Sequence, residues 1–87
     1  MFDILGVKIE KIDEELITKF RELALEKLYY TESELALVSD HTLINKFKGN
    51  YLIYPLRDDD ADRWRFTLIE IEAHRELYGA KKIIEIY

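Results

Sequence analysis

Between Asp13 and Leu28 the hydrophobic residues recur every three or four positions, which is the spacing of an amphipathic helix. Acidic residues at positions 13–15 lie where the helix dipole is positive, and Asp13 is placed to cap a backbone N–H. The apolar stripe consists of Leu16, Ile17, Phe20, Leu23, Ala24 and Leu28. The pattern therefore predicts a first helix that begins at Asp13, preceded by a short strand over residues 7 to about 11.

Two further helices are predicted before residue 50. Thr31 and Glu34 have the Thr-x-x-Glu spacing of a capping box, which indicates a short helix over residues 32–38. Ser39 and Asp40 interrupt this helix and are suited to cap a third one, over residues 41–48. The apolar face of this third helix consists of Leu43, Ile44 and Phe47.

Beyond Asn50 the period of the hydrophobic pattern falls to two, which is typical of strands. The run YLIYPL predicts one strand, and KKIIEIY predicts another at the end of the sequence. Between them, RWRFTLIEIEA alternates twice with a slip of one residue, so it predicts a strand with a bulge at Leu68–Ile69. The same segment also fits a helix from Asp60 to Tyr78, although its β-branched and aromatic residues favour the strand.

These elements predict an α+β fold in one small domain, residues 1–87. Its helical N-terminal half, about 13–48, is expected to pack on a small antiparallel β meander, about 50–87. A chain of 87 residues buries only about 60–65% of its unfolded surface, so its stability is marginal. Because 48% of the residues are hydrophobic and 13% are aromatic, we expect apolar surface to remain exposed and to be covered by self-association.

Composition also bears on the environment of the protein. The chain has no cysteine and no glutamine, a single methionine, and 36% charged residues, a pattern found in proteins from hot environments. No secretory signal and no membrane-length apolar run is visible, so we expect a soluble cytoplasmic protein that does not interact with membranes. The net charge of −5 argues against general nucleic-acid coating but permits a local basic face.

Four aspartates lie between residues 58 and 62, and three of them, Asp58, Asp60 and Asp62, have the spacing that begins a calcium loop. The glycine that such a loop needs at position six is replaced by Arg63, and its bidentate glutamate at position twelve is replaced by Ile69. A charged hairpin loop explains the cluster better, because aspartate is a turn former and discourages edge-to-edge sheet pairing.

No other set of residues predicts a catalytic centre or a cofactor. Glu70 and His74 have the i,i+4 spacing of two metal ligands, but common residue types occur at this spacing by chance and an exposed ion pair explains them. The glycines are too far apart for a phosphate-binding loop, and no nucleophile is matched with a base. We therefore expect no cofactor and treat an enzymatic role as the less favoured reading.

The third helix carries the best candidate for nucleic-acid recognition. Residues 41–57 contain no acid, and the outward side of this helix is polar and basic. Its candidate contact residues are His41, Thr42, Asn45, Lys46 and Lys48. Three helices followed by a hairpin resemble the winged helix-turn-helix pattern over roughly residues 13–73, which implies that the third helix would enter the major groove of DNA.

Three hypotheses follow, in order of preference. The first is a non-enzymatic interaction module that forms a homodimer, from a thermophilic source. Its predicted contact surface consists of Leu25, Tyr29, Tyr30, Tyr51, Tyr54, Tyr78 and Tyr87. The second is a winged-helix-like DNA-binding regulator that uses the third helix, and the third is a divalent-metal-dependent hydrolase at the aspartates of residues 58–62.

Overall fold

Three helices and two antiparallel sheets form the part of the chain that the computed structural model describes, residues 1–71 and 83–87. The predicted α+β class is confirmed, with helices in the N-terminal half and the larger sheet after them. The elements are β1 (Phe2–Ile4), β2 (Val7–Ile9), α1 (Glu14–Lys27), α2 (Glu32–Leu35), α3 (Asp40–Asn50), β3 (Tyr51–Asp58), β4 (Arg63–Glu70) and β5 (Ile83–Ile86).

The chain begins with a hairpin in which β1 pairs with β2, where the sequence predicted a single strand. Leu5 and Gly6 form its two-residue turn, with φ angles of 50° and 78°. Positive φ at both positions is the type I′ geometry that matches the twist of paired strands. The pattern did not reveal this hairpin because Leu5 stands where asparagine or aspartate usually signals such a turn.

The three helices begin close to the predicted residues but differ in length. Asp13 precedes α1, yet its side chain makes no capping hydrogen bond and lies 3.9 Å from Nε of Arg63. Helix α2 is a single turn with the predicted capping box, and α3 continues beyond residue 48 to Asn50. The Ser39 side chain accepts a hydrogen bond from the Thr42 backbone, as a helix cap does.

Phenylalanines from three elements meet at the centre of the core. Phe20 of α1 lies edge-on to Phe47 of α3, with ring centroids 5.2 Å apart, and to Phe66 of β4, 5.6 Å apart. At most 1% of each side chain is exposed. Edge-to-face packing of buried aromatic rings contributes beyond simple area burial, so this trio joins the helical layer to the sheet.

Strands β3, β4 and β5 form a sheet in that order, with a regular register from Tyr51 opposite Glu70 to Asp58 opposite Arg63. The predicted bulge is wrong, because pairing continues without a break through residues 68 and 69. Regular alternation places both Phe66 and Leu68 against the helices, where they are buried.

The alternative helix over residues 60–78 is also wrong where the structure describes it, because β4 occupies residues 63–70. A helix would turn Phe66 and Leu68 onto different sides, whereas a strand buries both. The rest of the predicted strand, residues 72–73, and the rest of this helix, residues 72–78, lie outside the described residues.

Alternation gives the sheet two distinct faces. The inner face packs on the helices and includes Tyr51, Ile53, Phe66, Leu68, Ile84 and Ile86. The outer face carries the residues between them: Leu52, Tyr54, Leu56, Arg65, Thr67, Ile69, Ile83, Glu85 and Tyr87.

Arg21 ties the segment around α2 to α1. Its guanidinium donates to the carbonyl of Leu35 at 2.8 Å, to that of Val38 at 3.0 Å and to Oδ1 of Asp40 at 2.9 Å. A planar fork of donors suits this task, because it reaches several acceptors at once. The Val38 carbonyl, in the connection between α2 and α3, thereby obtains a partner, and the carbonyl of Leu35 at the end of α2 gains a second donor beside the N–H of Val38.

Replacing Leu5 with asparagine should stabilise the protein. Asparagine tolerates positive φ better than leucine, so we expect the free energy of unfolding to rise by about 1 kcal/mol. Urea denaturation followed by circular dichroism measures it. Leu37→Asn is the matched control, because Leu37 is 89% exposed and has no positive φ. Equal effects of the two substitutions would refute the turn explanation.

Replacing Arg21 with methionine should destabilise the protein by about 1–3 kcal/mol, because the Val38 carbonyl loses its side-chain donor and the Leu35 carbonyl keeps only the N–H of Val38. Methionine keeps most of the apolar stem, which separates hydrogen bonding from packing. Urea denaturation tests this expectation against Lys11→Met, the same loss of charge at an exposed site. An unfolding midpoint unchanged from that control would contradict the role of Arg21.

Candidate interaction surfaces

The outer face of the sheet carries an unusual share of exposed apolar side chains. Tyr54 is 42% exposed, Leu56 62%, Ile83 45% and Tyr87 56%. The strand register aligns Leu52, Ile69 and Ile83 in one row across the sheet. Soluble proteins rarely expose contiguous apolar patches larger than a few hundred Å², and such patches usually mark sites of interaction.

Two opposite charges lie among these apolar groups. Arg65 forms an ion pair with Asp58 at 2.7 Å, and its guanidinium carbon lies 5.5 Å from the centre of the Tyr87 ring. Glu85 lies opposite Thr67 on the neighbouring strand and is exposed. The outer face is therefore amphipathic, with both signs of charge beside leucine, isoleucine and tyrosine.

The surface predicted from tyrosines and Leu25 is divided among several places. Tyr54 and Tyr87 lie on the outer face, whereas Leu25 and Tyr29 lie at the C-terminal end of α1. Tyr30 packs against the core, Tyr51 is a core residue, and Tyr78 lies outside the described residues. Leu56 and Ile83 were not among the predicted contact residues, although each continues the outward-facing row of its strand at every second position.

Tyr51 is the clearest departure from that predicted surface. It begins β3, is 7% exposed and packs its ring 5.9 Å from that of Phe47. Burial raises the pKa of the Tyr51 hydroxyl, and the nearby carboxylate of Glu70 raises it further. Both effects favour the neutral phenol, which agrees with a structural role in the core.

Tyr29 adopts a backbone conformation that usually favours glycine. Its φ of 60° follows the end of α1, and its side chain is 89% exposed. The N–H of Tyr30 then donates to the carbonyl of Ala24 at 3.3 Å, which closes the helix.

The outward side of α3 is partly covered by β1, so the five candidate DNA-contact residues are not equally available. The His41 ring stacks on Phe2 with centroids 4.3 Å apart, and its Nε2 lies 2.9 Å from the carbonyl oxygen of Met1. Lys48 donates to the carbonyl of Asp3 at 2.7 Å.

The other three residues of this set lie away from β1. Thr42 bonds to the capping residue Ser39, with their hydroxyl oxygens 3.0 Å apart. Asn45 and Lys46 are exposed on the helix surface. The basic face of α3 is thus smaller than the sequence indicates, because the N-terminal hairpin uses one of its two lysines.

Asp59, Asp60 and Asp62 lie in the loop of the β3–β4 hairpin, as the turn interpretation predicted, and Asp58 is the last residue of β3. The N–H of Asp62 donates to the carbonyl of Asp59 at 3.3 Å, and Asp62 has a φ of 52°, which aspartate tolerates. Asp62 also pairs with Arg57, while Asp58 accepts from the N–H of Ala61 at 3.2 Å.

The carboxylates of Asp58, Asp59 and Asp62 thus lie close to arginines, and that of Asp58 also accepts from a backbone N–H. Among residues 1–71 and 83–87 no group of three or more His, Cys, Asp or Glu side chains has the arrangement of a metal site. His74, which the sequence pairs with Glu70 at i,i+4 spacing, lies outside the described residues.

The hydrogen bond from Ala61 holds the pKa of Asp58 below its usual value, and the charge of Arg65 lowers it further. The folded protein therefore favours the ionised carboxylate. Stability from this preference is present above the ordinary aspartate pKa and is lost as pH falls through the lowered one.

Comparisons with protein-family models, with curated proteins and with solved structures give no match, so function must be argued from the geometry. The described helices include none of the length and apolar character that crossing a bilayer requires.

Replacing Asp58 with asparagine should lower the free energy of unfolding at neutral pH, because the ionised carboxylate no longer contributes. The free energy of unfolding of the variant should also fall less than that of the native protein as the pH drops below about 4. Urea midpoints measured at several pH values between neutrality and acid test this expectation. Asp60→Asn, the same change at an exposed position of the loop, serves as control. Acid profiles of Asp58→Asn and the native protein that run in parallel would contradict it.

Proposed function

We propose that this chain is a non-enzymatic interaction module that forms a homodimer through the outer face of its sheet. The observation that carries the proposal is the exposure of Tyr54, Leu56, Ile83 and Tyr87 on one face of one sheet. Complete burial of a leucine or isoleucine side chain contributes about 1.5–3 kcal/mol, and the exposed half of these side chains supplies part of that as a driving force for association.

A second copy of the chain suits this face. Two antiparallel sheets pack face to face with their side chains interdigitating, and a two-fold axis brings identical patches together. The face contains both Arg65 and Glu85, so rotation by a two-fold axis can place each near its opposite charge on the partner. A surface of one sign would instead repel its own copy.

The DNA-binding alternative has weaker support. Of its two lysines, Lys48 already binds the carbonyl of Asp3, and His41 is stacked on Phe2. The acidic tip of the β3–β4 hairpin would also lie where a wing approaches phosphates. The metal-hydrolase hypothesis is weaker still, since Arg57 and Arg65 neutralise the carboxylates of the loop.

The thermophilic origin stays a prediction from composition. It is consistent with a dimer, since association adds stability to a small core.

Replacing both Tyr54 and Leu56 with glutamate should convert the dimer to a monomer. Four carboxylates would then oppose each other across a two-fold interface, and we expect the dissociation constant to rise about a hundredfold or more. Sedimentation equilibrium over a micromolar concentration series measures this change, with circular dichroism to verify folding. The single variant Leu56→Glu should give an intermediate constant.

Leu37→Glu provides the matched control. Leu37 is 89% exposed, so the variant adds the same charge to an exposed leucine away from the sheet. It should leave the dissociation constant unchanged. A native protein that is monomeric at micromolar concentration would overturn the proposal, as would equal weakening by Leu37→Glu and Leu56→Glu.

A further inference from the structure

A groove of about 250 Å³ runs between α1 and β5, at the edge of the sheet, and Glu85 is the lining residue that it shares with the outer face. Leu23 of α1 and Ile84 and Ile86 of β5 supply its apolar walls. The charged residues along it are Lys19, Glu22, Glu26 and Glu85. The α1 residues of this set recur every three or four positions and therefore line one side of the helix.

Pro55 fixes the direction of the backbone hydrogen bonds in the sheet. It lies opposite Phe66 and has no N–H, so the two residues cannot form a hydrogen-bonded pair. The N–H and C=O of Phe66 therefore face β5, where Ile86 lies opposite. The N–H and C=O groups of successive residues point to opposite sides of a strand. Those of Ile86 face β4, so the N–H and C=O groups of Ile83 and Glu85 point away from β4.

The contact between Lys19 and Tyr87 agrees with this direction. Tyr87 is two residues beyond Glu85, so its backbone groups point to the same side of the strand as those of Ile83 and Glu85. The carbonyl of Tyr87 accepts a hydrogen bond from the Lys19 side chain. Lys19 of α1 therefore donates on the side of β5 where the N–H groups of an added strand would donate to the carbonyls of β5. No strand of the described part of the chain pairs with that side of β5.

The groove also has an excess of negative charge. Glu22 and Glu26 are separated by one helical turn, where like charges repel. Glu26 lies 3.9 Å from Lys27, while Glu22 and Glu85 have no ion-pair partner among the described residues. The ammonium of Lys19 is already engaged by Tyr87, so a positively charged occupant would relieve the repulsion.

We propose that this groove binds an extended basic peptide, which adds as a fourth strand beside β5. The N–H and C=O groups of Ile83 and Glu85 would bond to the peptide backbone, as in other cases of strand addition. Lysine or arginine side chains would lay their stems along Leu23 and Ile84 and present their charges to Glu22 and Glu26. This site lies at the edge of the sheet, next to the proposed dimer interface, and shares Glu85 with it.

Fluorescence anisotropy with a labelled hexapeptide of alternating lysine and valine, blocked at both ends, tests the proposal. We expect saturable binding, and about tenfold weaker binding to the variant with Glu22→Lys and Glu26→Lys. The same peptide with alternate backbone nitrogens methylated should not bind, because one edge can no longer donate. A glutamate–valine peptide of equal length should not bind either.

Glu10→Lys is the matched control for charge, because it reverses an exposed carboxylate outside the groove. It should bind the lysine–valine peptide as the native protein does. Equal affinity for the methylated peptide would overturn strand addition, and equal weakening by Glu10→Lys would overturn recognition by Glu22 and Glu26. Absence of binding to a folded native protein would overturn the site itself.

If the double variant fails to fold, the affinity of the lysine–valine peptide is measured with the single variants Glu22→Lys and Glu26→Lys. Each should weaken binding by a smaller factor than the pair. Sedimentation of the same variants separates this site from the dimer interface, because their self-association should match that of the native protein.

Discussion

The contact of Phe20 with Phe47 and Phe66 is the interaction on which the rest of the structure depends. Phe20 stands between α3 and the sheet, so the position of each layer is defined through one side chain of α1. With helices covering the inner face, the outer face and the edges are the parts of the sheet left for partners.

The elements that could be predicted from the sequence are those decided by local chemistry. The apolar period of α1, the capping box at Thr31 and the aspartate-rich turn needed no distant contacts, and all three are present. A bulge was predicted because Ile69, Ile71 and Ala73 were interpreted as a second buried row, whereas Ile69 lies on the outer face of a continuous strand. Alternation alone does not say which side of a strand the helices cover.

The candidate surfaces were harder to predict because they depend on contacts between distant residues. Nothing near His41 in sequence indicates that it stacks on Phe2, about 40 positions earlier, so the basic side of α3 was overestimated. Tyrosine content likewise did not distinguish buried Tyr51 from exposed Tyr54, three residues away on the same strand. The register of the sheet places Tyr51 on the inner face and Tyr54 on the outer face, and it also places Leu56 and Ile83 on the outer face.

The two edges of the sheet differ in a way that limits assembly. Pro55 turns its ring toward the unpaired side of β3, where it interferes with any incoming strand. Endless stacking of copies into a fibre requires that both edges of every molecule accept a neighbour. In the three-stranded sheet of the described residues, Pro55 leaves the β5 edge as the one that can accept a strand, so a strand bound there ends the sheet and repeated addition of copies at both edges is prevented.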